Sequence, residues 1–174
     1  MNKWLELGVL VGNGNHNAVA DMISKKKITT NEYFDTYDDI VNNESVRFIQ
    51  LSSVGNGIRS AAAYQWKNFL NSLKTFNGTD LFVFLQQSPS TFTDQLEGKL
   101  FKTVLEEASA EHGYNVWVFY AGSTDSVWLE NGVRYFCCAG MSAAAANKET
   151  GANAKYLLVT YMDNRVTYEY KSVN

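Results

Sequence analysis

The chain has 174 residues with two histidines and two cysteines, so chemistry that needs an imidazole or a thiolate has few places to sit. His16 closes the polar run Gly12-Asn13-Gly14-Asn15-His16-Asn17 and is the one histidine in a promising loop; its expected role is to bond backbone and shape that loop. His112 precedes Gly113 at the end of a predicted helix, where the macrodipole favours a cation. Asp35, Asp38 and Asp39 read as the solvated face of a short helix, with Asp35 and Asp39 at i, i+4. No glycine-punctuated calcium loop surrounds them. Ser52, Ser53 and Ser88 lack a histidine partner in sequence for nucleophilic catalysis. Gly55-Asn56-Gly57 has no Lys-Ser/Thr behind it and makes no phosphate loop. Cys137 and Cys138 are adjacent, a spacing unsuited to a disulfide, and read as buried thiols on opposite faces of a strand.

Those residues need elements to position them. Leu7–Val11 reads as a strand running into the Gly12–Asn17 turn, and Ala18, Val19, Met22 and Ile23 recur at helical spacing up to Lys25-Lys26-Lys27. Thr29 and Glu32 fit a capping box ahead of a short helix bearing Tyr33, Tyr37 and Ile40. Val46–Leu51 reads as a strand. Ser60 to about Phe76 reads as a helix whose stripe is Trp66, Phe69, Leu70 and Leu73. Leu81–Leu85 and Val116–Tyr120, apolar on both faces, read as buried strands. Between them the expected helix starts at a Thr93 N-cap, buries Leu96, Leu100, Val104 and Ala108, and stops at Gly113. Asn131-Gly132 predicts a type I′ hairpin over Val127–Phe136, and a second hairpin pairs Tyr156–Tyr161 with Arg165–Lys171 around Asp163-Asn164.

A single compact domain of 1–174 fits this length. The net charge of −3 and pI near 5.4 argue against a nucleic-acid partner, which needs clustered cations. No apolar run reaches the length of a membrane span. Strands alternate with helices and then finish the chain alone, the order of an α/β fold with layered mixed β-sheets, flanking helices and terminal antiparallel hairpins.

The succession of motifs resembles the calcineurin-like metallophosphoesterase family. Gly14-Asn15-His16-Asn17 after a strand is similar to its Gly-Asn-His-Asp/Glu motif, and Gln65-Trp66 with Leu70 and Leu73 to its Gln-x-x-Trp-Leu helix. Leu81–Pro89 resembles the strand that ends in a metal-binding histidine, Val116–Asp125 the strand that ends in Gly-His-x-His, and Val127–Gly140 the closing hairpin. The resemblance implies a half or truncated αββα sandwich that lacks the first βαβ units. It also implies residual metal positions at Asn15, Gln86, Gln87, Ser123 and Asp125, and a residual catalytic position at His16.

The departures from the family decide the expected function. Val9 stands where the Gly-Asp strand should carry aspartate, Gln86 or Gln87 replaces the downstream histidine, and Gly122-Ser123-Thr124-Asp125 replaces Gly-His-x-His. Ions such as zinc, manganese or iron need converging imidazoles and carboxylates. The expectation is therefore a non-catalytic structural or binding module of a larger protein, with no cofactor. One alternative is a fragment of a metal-dependent phosphoesterase completed by upstream residues, which would bind manganese, iron or zinc. Another is a carbohydrate- or cell-surface-binding module in which Trp128 and Tyr135, flanking the hairpin, form an exposed stacking surface. Expected partners are an upstream domain or a second copy at the Leu7–Val11 sheet edge. The resemblance points to bacterial, cell-surface or secreted multidomain proteins.

Overall fold

The computed structural model describes residues 9–12, 34–41, 44–122, 124–138, 155–162 and 165–172. Their strands are β1 (Val9–Gly12), β2 (Phe34–Val41), β3 (Glu44–Leu51), β4 (Asp80–Leu85), β5 (Asn115–Ala121), β6 (Ser126–Glu130), β7 (Val133–Cys138), β8 (Lys155–Met162) and β9 (Arg165–Ser172). The helices are α1 (Ile58–Ala61), α2 (Tyr64–Lys74) and α3 (Gln95–His112), with a 3₁₀ turn at Pro89–Thr91. A six-stranded sheet has the order β2-β3-β4-β5-β7-β6, and a three-stranded sheet the order β1-β8-β9. β3, β4, β5 and β7 run parallel, while β2 and β6 pair antiparallel at the two edges. The protein is thus a mixed α/β fold whose second sheet contains the antiparallel β8–β9 hairpin.

Period-two alternation sorts the central strands onto two cores. Ile49, Leu51, Leu81, Val83, Leu85, Val116, Val118, Val133, Tyr135 and Cys137 pack with Trp66, Phe69 and Leu73 of α2 and Phe101 and Leu105 of α3. Their neighbours in sequence, Phe48, Phe82, Phe84, Phe119, Phe136 and Cys138, pack with Leu157, Val159 and Tyr161 of β8. β4 is buried over all six residues because it is covered on both faces, as parallel strands must be. Cys137 and Cys138 fall into different cores, as the sequence predicts.

The second core is a row of stacked rings. Register sets Phe48 beside Phe82, Phe82 beside Trp117, Phe84 beside Phe119, and Phe119 beside Phe136. Ring centroids lie 5.1 Å apart for Phe48–Phe82, 5.0 Å for Phe84–Phe119 and 4.7 Å for Phe119–Phe136, all near parallel. Tyr161 from β8 and Tyr168 from β9 meet the row edge-on, at Phe82 and Phe136.

Several sequence expectations are corrected. Residues 34–41 form an edge strand and no helix: eight residues of β2 pair antiparallel with β3, and that ladder outweighs the i, i+4 pattern of Tyr33, Tyr37 and Asp35/Asp39. The Ser60–Phe76 helix breaks at Ala62-Ala63 into α1 and α2, and on α2 Leu70 is exposed while Trp66, Phe69 and Leu73 are buried. On α3 the N-cap is Asp94, one residue after Thr93, with its carboxylate accepting from the N–H groups of Leu96 and Glu97. The buried stripe is likewise shifted to Glu97, Phe101, Leu105 and Ala108, leaving Leu96 73% and Leu100 45% exposed. The larger Phe101 ring stacks on Phe69 of α2 and turns the helix that way. The helix expected around Ala18–Ile23, the Thr29–Glu32 capping box and the Asp163-Asn164 turn lie outside the described residues.

Phe119→Ala should cost about 3–5 kcal/mol, as for a fully buried aromatic. Leu96→Ala should change stability by less than about 0.5 kcal/mol, as for an exposed position. Urea denaturation midpoints of the two variants check both, and equal losses would refute the corrected stripe.

Candidate functional site

In sheets of this kind polar chemistry gathers beyond the carboxyl ends of the parallel strands. Here that rim is made by residues 52–57 after β3, 86–94 after β4, Gly122, Thr124 and Asp125 after β5, and the end of β7. Its side chains mostly bond to one another. Gln86 Oε1 accepts from Ser53 N–H at 2.6 Å and lies 3.4 Å from Ser53 Oγ. Ser53 Oγ accepts in turn from Gln87 N–H at 2.9 Å. Ser53 thus ties the exits of β3 and β4 together.

Two buried side chains anchor the helical side of this rim. Gln65 Oε1 accepts from Ser52 N–H at 2.8 Å, and Nε2 donates to Ser52 O and Ile58 O at 3.0 and 2.9 Å. That one amide saturates a loop backbone that has no ladder of its own. Glu97, in the first turn of α3, is almost fully buried; its Oε1 accepts from Trp66 Nε1–H at 2.6 Å, Arg59 N–H at 2.9 Å and Arg59 Nε–H at 3.2 Å. Burial of a carboxylate is tolerable because charged and neutral donors converge on it. The Gln65-Trp66 pair therefore binds α2 to the rim at one side chain and to α3 at the other.

Burial holds one phenol and two thiols at this end of the sheet neutral. Burial raises the Tyr120 phenol to about 12, partly offset by its bond to the Ser88 hydroxyl. Burial also raises both thiols, with contacts from Thr124 backbone and the Ser126 side chain pulling Cys137 partly back. A thiol that stays protonated is a poor nucleophile and a poor metal ligand.

Of the positions taken from the resemblance, Gln86, Gln87 and Asp125 come together at this rim. Gln86 is engaged as above, the buried Gln87 Oε1 has no hydrogen-bond partner among the described residues, and Asp125 is half-buried. Asn15, His16 and Ser123 lie outside the described residues. Among the described residues no three His, Cys, Asp or Glu side chains converge on a point that could hold a metal ion. Cys137 and Cys138, pointing into different cores, cannot share one. The described donors therefore do not fit the manganese, iron or zinc pair that the resemblance implies.

The stacking surface expected of Trp128 and Tyr135 is not formed as an exposed platform. Tyr135 is 0% exposed, and Trp128 is half-buried, stacked on Tyr135 at 5.5 Å and edge-on to Tyr120 at 5.8 Å. Tyr135 lies on the helix-facing side of β7, where α3 covers it. Its hydroxyl has no hydrogen-bond partner among the described residues. His112 ends α3 exposed, stacked on Tyr114 at 5.1 Å.

Sequence reasoning passed over Asp80, and read Glu97 only as a first-turn acid complementing the helix dipole. Asp80 is 3% exposed, and its carboxylate accepts from Trp117 Nε1–H at 3.1 Å, Tyr161 O–H at 3.0 Å and Thr79 O–H at 2.8 Å, joining the two sheets. The available signal was an acidic residue directly abutting an apolar strand.

No known family profile matches the sequence, and no curated protein matches it. Among solved structures the chain is similar to GAP50, "the anchor in the inner membrane complex of Plasmodium", with 12% identity and a TM-score of 0.44. The match covers 91% of this chain and 51% of that one, so this chain spans about half its length. A likeness at that level bears on neither fold nor function. No helix among the described residues is long and apolar enough to cross a membrane.

Two predictions follow from these burials. A thiol or phenol whose value is raised on folding ionises first in the unfolded chain. Its stabilising contribution is therefore present below the ordinary thiol range of about 8.5 and is lost as pH rises beyond it. Urea midpoints should fall continuously above about pH 9. The thiols should ignore Ellman's reagent until the chain unfolds. Separately, Tyr135→Phe removes a buried hydroxyl that bonds to no described residue, and should raise stability by about 1 kcal/mol in urea denaturation.

Proposed function

We propose that the chain is a non-catalytic metallophosphoesterase-like module that serves structure or binding within a larger protein. The observation that carries this reading is the Gln86 amide. It is one of the two glutamines, Gln86 and Gln87, that the resemblance sets where the family has a metal-binding histidine, and its oxygen is committed to the Ser53 N–H. A neutral amide oxygen already accepting a hydrogen bond brings neither the charge nor the ligand strength that an imidazole gives a divalent ion. Two-metal phosphoester hydrolysis needs ions that activate water and neutralise the phosphate. The neutral thiols and phenol of the rim supply no substitute nucleophile.

The layering supports the same scaffold: helices cover one face of a mixed sheet, and a second sheet covers the other. Service within a larger protein is supported by β1. Its sequence Val-Leu-Val-Gly is apolar on both sides of the pleat, as expected of an internal strand, yet among the described residues β1 is the edge of its sheet. A neighbouring segment or domain that pairs there would complete it.

The test is elemental analysis of the purified chain after equilibration with manganese, iron and zinc salts, alongside hydrolysis of an aryl phosphodiester with added manganese. The expected result is metal far below one ion per chain and turnover no faster than buffer. Stoichiometric metal, with turnover abolished in His16→Ala, would overturn the proposal in favour of a phosphoesterase fragment.

A further inference from the structure

The sequence holds four Asn-Gly pairs, three of them among the described residues, and the fold treats these three differently. Asn56-Gly57 is held in a turn, with Asn56 at a φ of 62°, both N–H groups donating to Ser53 O and Asn56 O accepting from Thr93 N–H at 2.8 Å. Asn77-Gly78 lies in the connection between α2 and β4, with Asn77 exposed. Its flanks are tied. Phe76 O accepts from Tyr114 O–H at 3.0 Å, and Thr79 N–H donates to Ser45 O at 3.1 Å. Between these ties, neither the Asn77 side chain nor the Gly78 N–H makes a hydrogen bond with another described residue. Asn131-Gly132 is exposed too, but it is the corner of the β6–β7 hairpin, with φ of 47° and 85° in the type I′ pattern. The Glu130–Val133 pair closes that turn.

We propose that Asn77 is a site of spontaneous covalent modification, forming a succinimide and then isoaspartate, and that the turn protects Asn131 from the same reaction. The Gly78 nitrogen gives up its proton to solvent and attacks Asn77 Cγ. The N–Cγ bond forms, the Cγ–Nδ2 bond breaks, and ammonia leaves with a proton taken from solvent. Water then opens the ring at either carbonyl, giving aspartate or isoaspartate. No redox step and no partner beyond water is involved.

Only glycine leaves the attacking nitrogen unshielded, and packing requires glycine here. A Cβ on Gly78 would collide with Ser45 O and the Phe76 ring. The reactive dipeptide is thus built into the close approach of this loop to the start of β3. In the hairpin, by contrast, Gly132 N can reach Asn131 Cγ only by rotation about the Asn131 Cα–C bond, which takes the turn out of its type I′ conformation. The product at Asn77 carries one added negative charge, and isoaspartate lengthens the backbone by one carbon just before Thr79 and the buried Asp80.

The experiment incubates the full chain at mildly alkaline pH and follows both sites by peptide mapping with mass spectrometry and by isoaspartyl methyltransferase labelling. Conversion at Asn77 should run several-fold faster than at Asn131 in the folded chain, and the two rates should converge in urea. Asn77→Gln should remove the acidic form that peptide mapping assigns to residue 77, while Asn56→Gln and Asn131→Gln should leave it. Equal or faster conversion at Asn131 in the folded chain overturns the proposal. So does an intact Asn77 under conditions where the urea-unfolded chain converts both.

Discussion

The structure depends on the central parallel strands being apolar on both faces. β4 and β5 cannot meet water on either side, so the fold requires two covers, and it builds one from helices and the other from a second sheet. The face toward the second sheet is defined by register. A phenylalanine on each of β3, β4, β5 and β7 falls beside one on the next strand, and the rings stack in a row that the tyrosines of β8 and β9 close edge-on. Aromatic pairs of this geometry contribute beyond the area they bury, on the order of 0.5–1.5 kcal/mol each. Slipping any one of these strands by a residue would send its ring to the helical side and break the row.

Polar ties then orient the layers. Asp80 is a carboxylate that, among the described residues, is balanced by an indole, a phenol and a hydroxyl, and the phenol belongs to the other sheet. Tyr170 repeats the device at the opposite end, donating to the Cys137 and Ser126 carbonyls. On the helical side Glu97 collects the Trp66 indole and Arg59, and Gln65 holds the loop after β3. At the β2 edge, Arg47 binds Asp38 through Nη2 at 2.6 Å, donates to Thr75 Oγ1, and lies over the Phe76 ring. Each of these groups has directional partners, so packing that is nonspecific in the aromatic row acquires one alignment.

The described part of the carboxyl-end rim is held together largely by its own polar groups. Its amides and hydroxyls satisfy loop backbone, and its thiols and phenol are buried enough to stay protonated. A site prepared for an ion or a phosphate would leave converging charged ligands free. Here Gln86 and Ser53 spend their polarity on each other.

Buried strands, the type I′ corner at Asn131-Gly132, the end of α3 at Gly113 and the separation of the two thiols were legible in the sequence. Each follows from local backbone preference or from period-two alternation, which need no knowledge of the neighbours. The edge strand at Phe34–Val41 was not, because its tyrosines and aspartates suit either period and only the pairing with β3 decides between them. The true stripe of α3 also waited for tertiary contact: two rows of leucine and phenylalanine lie about a hundred degrees apart on that helix, and the Phe69 ring selected the one carrying Phe101. The site divides the same way. The glutamines at the end of β4, Gln86 and Gln87, could be read directly, whereas the burial of Tyr135 and the convergence of donors on Asp80 and Glu97 could not. Residue type determines which groups can bond; only the folded layers determine which of them lose water and must.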